Sequence, residues 1–136
     1  MTEITLKRVS GFKFEAENSI GKKAILDGPE KIGGTDDGVR PMEMVLMGLA
    51  GCSSFDVLHI LQKGRQEVED LDVKVSAERA DAVPSVFTKI NLHFIVSGKV
   101  SEKRVSQAVE LSMEKYCSVS AMLSKSVEIT HSFEIK

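Results

Sequence analysis

The chain has 136 residues, 42% of them apolar, with 18 Lys and Arg set against 20 Asp and Glu. That length suits a single domain, 1–136, large enough to bury its own core without a staple. The near-neutral balance gives no electrostatic drive towards nucleic acid or an anionic membrane, so neither is expected as a partner.

The opening MTEITLKRV has no apolar h-region. No secretory signal is expected, and a cytoplasmic location is. In that compartment the two cysteines, Cys52 and Cys117, are poor candidates for a structural disulfide. They are either a redox pair or two buried free thiols.

Ile4 and Leu6 suggest a first strand. Phe12, Phe14 and Ala16 then alternate with Lys13, Glu15 and Glu17, the pattern of a strand with one buried face. Lys22–Leu26 reads as a third strand, with Ser10-Gly11 and Ser19-Ile20-Gly21 as the turns of a meander. From Gly28 to Arg40 the chain is rich in Gly and Asp, a loop long enough to be functional or mobile.

Pro41–Lys63, PMEMVLMGLAGCSSFDVLHILQK, reads as one helix, with Pro41 at its first position and Gly64 as its stop. It would be roughly 34 Å long. Its apolar residues cover nearly the whole circumference, so it is expected to be buried all round. Glu43, Asp56, His59 and two serines argue against a membrane span. Gly48 and Gly51 weaken the helix and make sense where another backbone packs closely.

Two longer strands follow. Leu71, Val73, Val75 and Ala77 share a face of one; Val86, Thr88, Ile90, Leu92, Phe94 and Val96 share a face of the next, with Ala80–Ser85 as the turn. Ser101 caps an amphipathic helix with Val105, Ala108, Val109, Ser112 and Tyr116 on one stripe. A short helix over 118–124 and a last strand with Val127, Ile129, His131, Phe133 and Ile135 on one face complete the chain.

The order β-β-β-α-β-β-α-α-β predicts an α+β fold of mainly antiparallel sheet packed on helices. One thin sheet covers only one side of the long helix. Burying the rest calls for a second chain, so a dimer with a shared helical core is expected.

Cys52 lies mid-helix, where the helix dipole does little for it. Asp56, one turn on, has the wrong sign to activate a thiolate, and His59 lies about 10 Å away along the axis. Cys117 sits at the start of the short helix, where free N–H groups would make it the more acidic thiol. Neither Cys-x-x-Cys nor His-x-x-x-His occurs among the cysteines and His59, His93 and His131, so no metal site is expected. His131, on an apolar strand face, reads as a core histidine. GGTDDG lacks the strand-to-helix context of a phosphate loop, and no Ser-His-Asp arrangement is indicated.

Two segments together carry a resemblance. RPMEMVLMGLAGCSSFDVLHIL resembles the Pro-Glu helix of the OsmC/Ohr family (osmotically inducible and organic hydroperoxide resistance proteins), and EKYCSVSAML resembles that family's second cysteine motif. The element order matches as well. The resemblance implies an intertwined homodimer whose sheets wrap long central helices, with two sites at the interface. It implies thiol-dependent reduction of organic peroxides, with Cys52 as the peroxidatic and Cys117 as the resolving cysteine. It further implies an external thiol reductant, lipoyl or another dithiol, and no bound cofactor.

Two positions depart from the family pattern. The residue after Pro41 is Met42 where the family has Glu, with Glu43 one place later. The first turn, Val9-Ser10-Gly11-Phe12, lacks the family's Arg; Arg8 is the nearest in sequence. Arg40, just before Pro41, is the candidate substitute. These departures keep a second reading open: a non-enzymatic protein that binds a small hydrophobic ligand or senses redox state.

Overall fold

The computed structural model describes all residues, 1–136. The chain divides into two compact units, Met1–Leu46 and Met47–Lys136.

In the first unit, β1 (Ile4–Ser10), β2 (Lys13–Asn18) and β3 (Lys23–Leu26) form the expected antiparallel meander. Gly11 and Gly21 take positive φ in its two turns. The apolar side chains of β1 and the first turn are open, Ile4, Leu6, Val9 and Phe12 each being more than half exposed.

The Gly- and Asp-rich loop after β3 is tied to one buried carboxylate. Asp27 accepts the N–H groups of Gly28 (2.7 Å), Thr35 (3.2 Å) and Asp37 (3.1 Å), and the Thr35 hydroxyl (2.6 Å). These donors, Thr35 Oγ1 foremost, hold its pKa down at about 2. The loop folds back so tightly that a Cβ on Gly34 would lie 2.0 Å from the Gly28 carbonyl oxygen. At its end Glu43 accepts the Arg40 N–H at 2.8 Å, half of a capping box for the helix that begins at Pro41.

That helix, α1 (Pro41–Lys63), has the expected limits. It is long and apolar enough to cross a membrane by length and composition. In the second unit, however, Leu49, Ser53, Val57 and Leu61, each one turn apart, form a fully buried stripe. Burial all round is not what a single chain provides. Met47 is 50% and Phe55 77% exposed. Gly48 and Gly51 lie on this same face, and a Cβ added to either would meet nothing within 4 Å. The close backbone expected at these glycines is therefore absent from the chain itself.

The second sheet contains β4 (Glu67–Arg79), β5 (Phe87–Lys99) and β6 (Glu128–Ile135), in that order. β4 and β5 pair antiparallel, with Val73 opposite Phe94 and Val75 opposite Leu92. β6 runs parallel to β5, so this sheet is mixed where the sequence pattern suggested antiparallel sheets. The cause is the connection: the helices between β5 and β6 form a crossover, which returns the chain in the same direction. Phe94, Leu92, Ile90 and Val96 of β5 are buried with Val105, Ala108 and Val109 of α2 (Glu102–Leu111). Ser101 caps α2 by accepting the Arg104 N–H at 3.2 Å. Tyr116, expected on the buried stripe, is 51% exposed, because α2 ends at Leu111 and the chain continues into a wider π turn, Ser112–Tyr116. α3 (Ser118–Leu123) follows at once.

Candidate active site

The second unit brings Cys52 and Cys117, 65 places apart in sequence, into one cluster. Cys52 projects from the flank of α1 between its buried stripe and its open face, and is half-buried. Cys117 is 2% exposed and stands at the junction of the π turn and α3. Both thiols are free. Their Sγ atoms and a carboxylate oxygen of Asp56 all lie within 4.8 Å of one another.

The π turn sets this geometry. The Cys117 N–H bonds to the Ser112 carbonyl at 2.8 Å, five residues back, which adds one residue to the helical turn. Ser112 Oγ in turn donates to the Ser53 carbonyl of α1 at 2.9 Å and lies 3.5 Å from Asp56 Oδ2. This one buried hydroxyl joins the turn that carries Cys117 to the helix that carries Cys52 and Asp56. Ser120 Oγ donates to the Met113 carbonyl at 3.0 Å and closes the other side of the turn. No buried side-chain nitrogen or oxygen in the chain lacks a partner.

The Cys117 thiol is not the acidic one that its place at a helix start suggests. Its Sγ does accept the Ser120 N–H, at 3.4 Å, as a residue at a helix start should. Burial outweighs that donor, and the neighbouring Cys52 sulfur adds to the effect, so the Cys117 thiol is pushed up to about 11. Cys117 therefore stays protonated at neutral pH.

A cavity of about 280 Å³ reaches Cys117, with Met113, Ser120, Ile129 and His131 on its walls and Glu114 and Lys115 beside them. His131 thus lines a cavity rather than sitting sealed in the core. His59 is exposed, and His93 contacts Ser132 (2.8 Å) and Glu134 (3.3 Å) on β6.

The other two candidate residues lie in the first unit. The Arg40 guanidinium pairs with Asp36 and reaches the Asp27 carbonyl at 3.3 Å. Glu43 is exposed and engaged with the Arg40 backbone. Arg40 also borders an apolar cavity of about 340 Å³ formed by Leu6, Phe12, Phe14, Leu26 and Ile32.

Asp56 and Ser112 were the residues that sequence reasoning passed over. Asp56 carried a signal, its place one helical turn from Cys52, but its charge argued against it. Ser112 carried none beyond a polar residue on an apolar stripe.

The family model for OsmC-like proteins matches residues 34–132. Protein YhfA of Escherichia coli K12 is 50% identical over 131 residues, covering 96% of this chain and 95% of YhfA. A hypothetical protein of Aquifex aeolicus has the same fold with a TM-score of 0.89 and 38% identity, covering 100% of this chain and 96% of the other. An organic hydroperoxide resistance protein OsmC from Legionella pneumophila aligns with a TM-score of 0.74 at 19% identity, covering 98% of this chain and 96% of its own, a likeness of fold.

Proposed function

The chain belongs to the OsmC-like protein family, and from that premise we propose that it is a thiol-dependent hydroperoxide reductase in which Cys52 attacks and Cys117 resolves. The observation that carries this reading is the approach of the two sulfurs to within 4.8 Å, against 65 residues of separation. A name borne by a more distant protein of the same fold, organic hydroperoxide resistance, supports the choice of substrate class.

The roles follow from access. Cys52 is half-buried, whereas Cys117 is 2% exposed at the wall of its cavity, so Cys52 offers a peroxide the more accessible sulfur. The Cys52 thiolate attacks the O–O bond of ROOH. Sulfur takes one oxygen as a sulfenic acid, and the other leaves as an alcohol after protonation. The Cys117 thiol then displaces water from the sulfenic sulfur, forming a disulfide. Closing from 4.8 Å or less to a bond of about 2.05 Å takes side-chain rotation and a small movement of the π turn. An external dithiol restores both thiols by exchange.

The proposal extends to assembly. Met47, Gly48, Gly51 and Phe55 share one open face of α1, and the two glycines leave room for a backbone to approach. A second copy packing there would complete the burial that the helix composition demands, giving a homodimer. We propose a cytoplasmic location as well.

The test is peroxide consumption with organic and inorganic peroxides. Cys52→Ser abolishes it. Cys117→Ser allows one turnover and accumulates sulfenic acid, detected by a dimedone-type probe. Full activity in Cys52→Ser overturns the reading.

A second reading is favoured by the apolar cavity beside Arg40, which has the lining of a site for a small hydrophobic molecule. Native mass spectrometry that retains such a ligand, in a protein inert to peroxide, would select it.

A further inference from the structure

Asp56 is unexplained by the redox chemistry. A carboxylate beside a thiolate repels it, and no salt bridge in the chain involves Asp56. With both thiols ionised, three negative charges would converge within 4.8 Å. Such a cluster suits a cation, and the donors specify which kind.

We propose that the reduced protein binds one Zn²⁺ per chain through Cys52 Sγ, Cys117 Sγ and a carboxylate oxygen of Asp56. Two sulfurs exclude the hard ions Mg²⁺ and Ca²⁺, while the oxygen donor disfavours Cu⁺ relative to an all-sulfur site. Zn²⁺ accepts mixed sulfur and oxygen ligands in a tetrahedron. Bond lengths of about 2.3 Å to sulfur and 2.0–2.2 Å to oxygen place tetrahedral ligands about 3.4–3.8 Å apart. From separations of at most 4.8 Å, the sulfur pair closes by up to about 1.0 Å and the sulfur–oxygen pairs by up to about 1.4 Å. Ser112 Oγ, whose proton goes to the Ser53 carbonyl, lies 3.5 Å from Asp56 Oδ2 and ties the turn that carries Cys117 to the helix that carries the other two ligands.

The fourth position is left to water. Binding displaces the two thiol protons to solvent and changes no oxidation state. The site escapes sequence patterns because its ligands come from an i, i+4 pair on α1 and a turn 61 residues beyond Asp56.

The inference rests on the geometry of the cluster and not on peroxide turnover. Its consequence for the proposed activity is direct: with both sulfurs coordinated, zinc holds the pair reduced and suppresses peroxide consumption until a chelator removes it.

The experiment titrates Zn²⁺ into the reduced full-length protein against a chromophoric chelator, with Co²⁺ as a spectroscopic substitute. One equivalent is expected, with thiolate-to-metal charge transfer and the visible bands of tetrahedral Co²⁺. Cys52→Ser and Cys117→Ser lose the site. Asp56→Asn weakens it by at least about tenfold. Asp56→His, which restores a ligand and so reports on folding, keeps tight binding, and His59→Ala binds as the unaltered chain does. Failure of the reduced protein to take zinc from the chelator, or Asp56→Asn binding as tightly as wild type, overturns the inference. Peroxide consumption by the metal-free protein is scored separately, so loss of the zinc site leaves the proposed activity standing, and loss of activity leaves the site standing.

Discussion

Alkylation of the reduced protein by iodoacetamide, followed by peptide mass spectrometry over time, separates the two thiols. Cys117 is 2% exposed and its thiol stands at about 11 instead of 9.0. Two pH units reduce its thiolate population about a hundredfold near neutral pH, before any steric protection is counted. Cys52 should therefore label first, and Cys117 at least about a hundredfold more slowly than a free thiol. Between the ordinary value and about 11, the Cys117 rate should rise about tenfold per pH unit, since thiolate is the reacting form. In Cys52→Ser the contribution of the neighbouring sulfur disappears, but burial is the larger cause, so Cys117 should remain slow. Labelling of Cys117 at the same rate as Cys52, or ahead of it, would refute the role assignment.

Further outcomes follow from particular contacts. Leu49 is 0% exposed, and Leu49→Ala should cost about 2–5 kcal/mol in urea unfolding. Phe55→Glu, on the open face of α1, should convert a two-chain mass by light scattering to one chain; a wild-type mass of one chain would already contradict the dimer. The Asp27 carboxyl is depressed to about 2, so its contribution to the 28–40 loop is complete above about pH 4 and lost as pH falls towards 2. Asp27→Asn should bring faster amide hydrogen exchange at Thr35 and Asp37 at neutral pH.

The meander, the limits of α1 and the cap at Ser101 were legible because each depends on local signals: alternation, a proline followed by a long apolar run, and a serine before an amphipathic stretch. The family was legible from two cysteine contexts. The parallel β5–β6 pairing was not, because strand direction is decided by the crossover and not by either strand's own pattern. The π turn at Ser112–Tyr116 left no mark in the periodicity, and with it went the true place of Tyr116 and the burial that makes Cys117 a weak acid. Local reasoning saw the helix start at Cys117 but not the packing around it. The same limit concealed Asp56, whose meaning depends on a sulfur 61 residues away.

Cys52 and Cys117 acting as one redox unit has a direct chemical signature. Treating the reduced, metal-free protein with one equivalent of an organic hydroperoxide, then measuring intact and peptide masses, tests it most directly. The expected result is loss of two hydrogen atoms per chain and a Cys52–Cys117 crosslinked peptide, reversed by a dithiol. Two thiols still free after excess peroxide, or oxidation to sulfinic acid at Cys52 with Cys117 untouched, would contradict it.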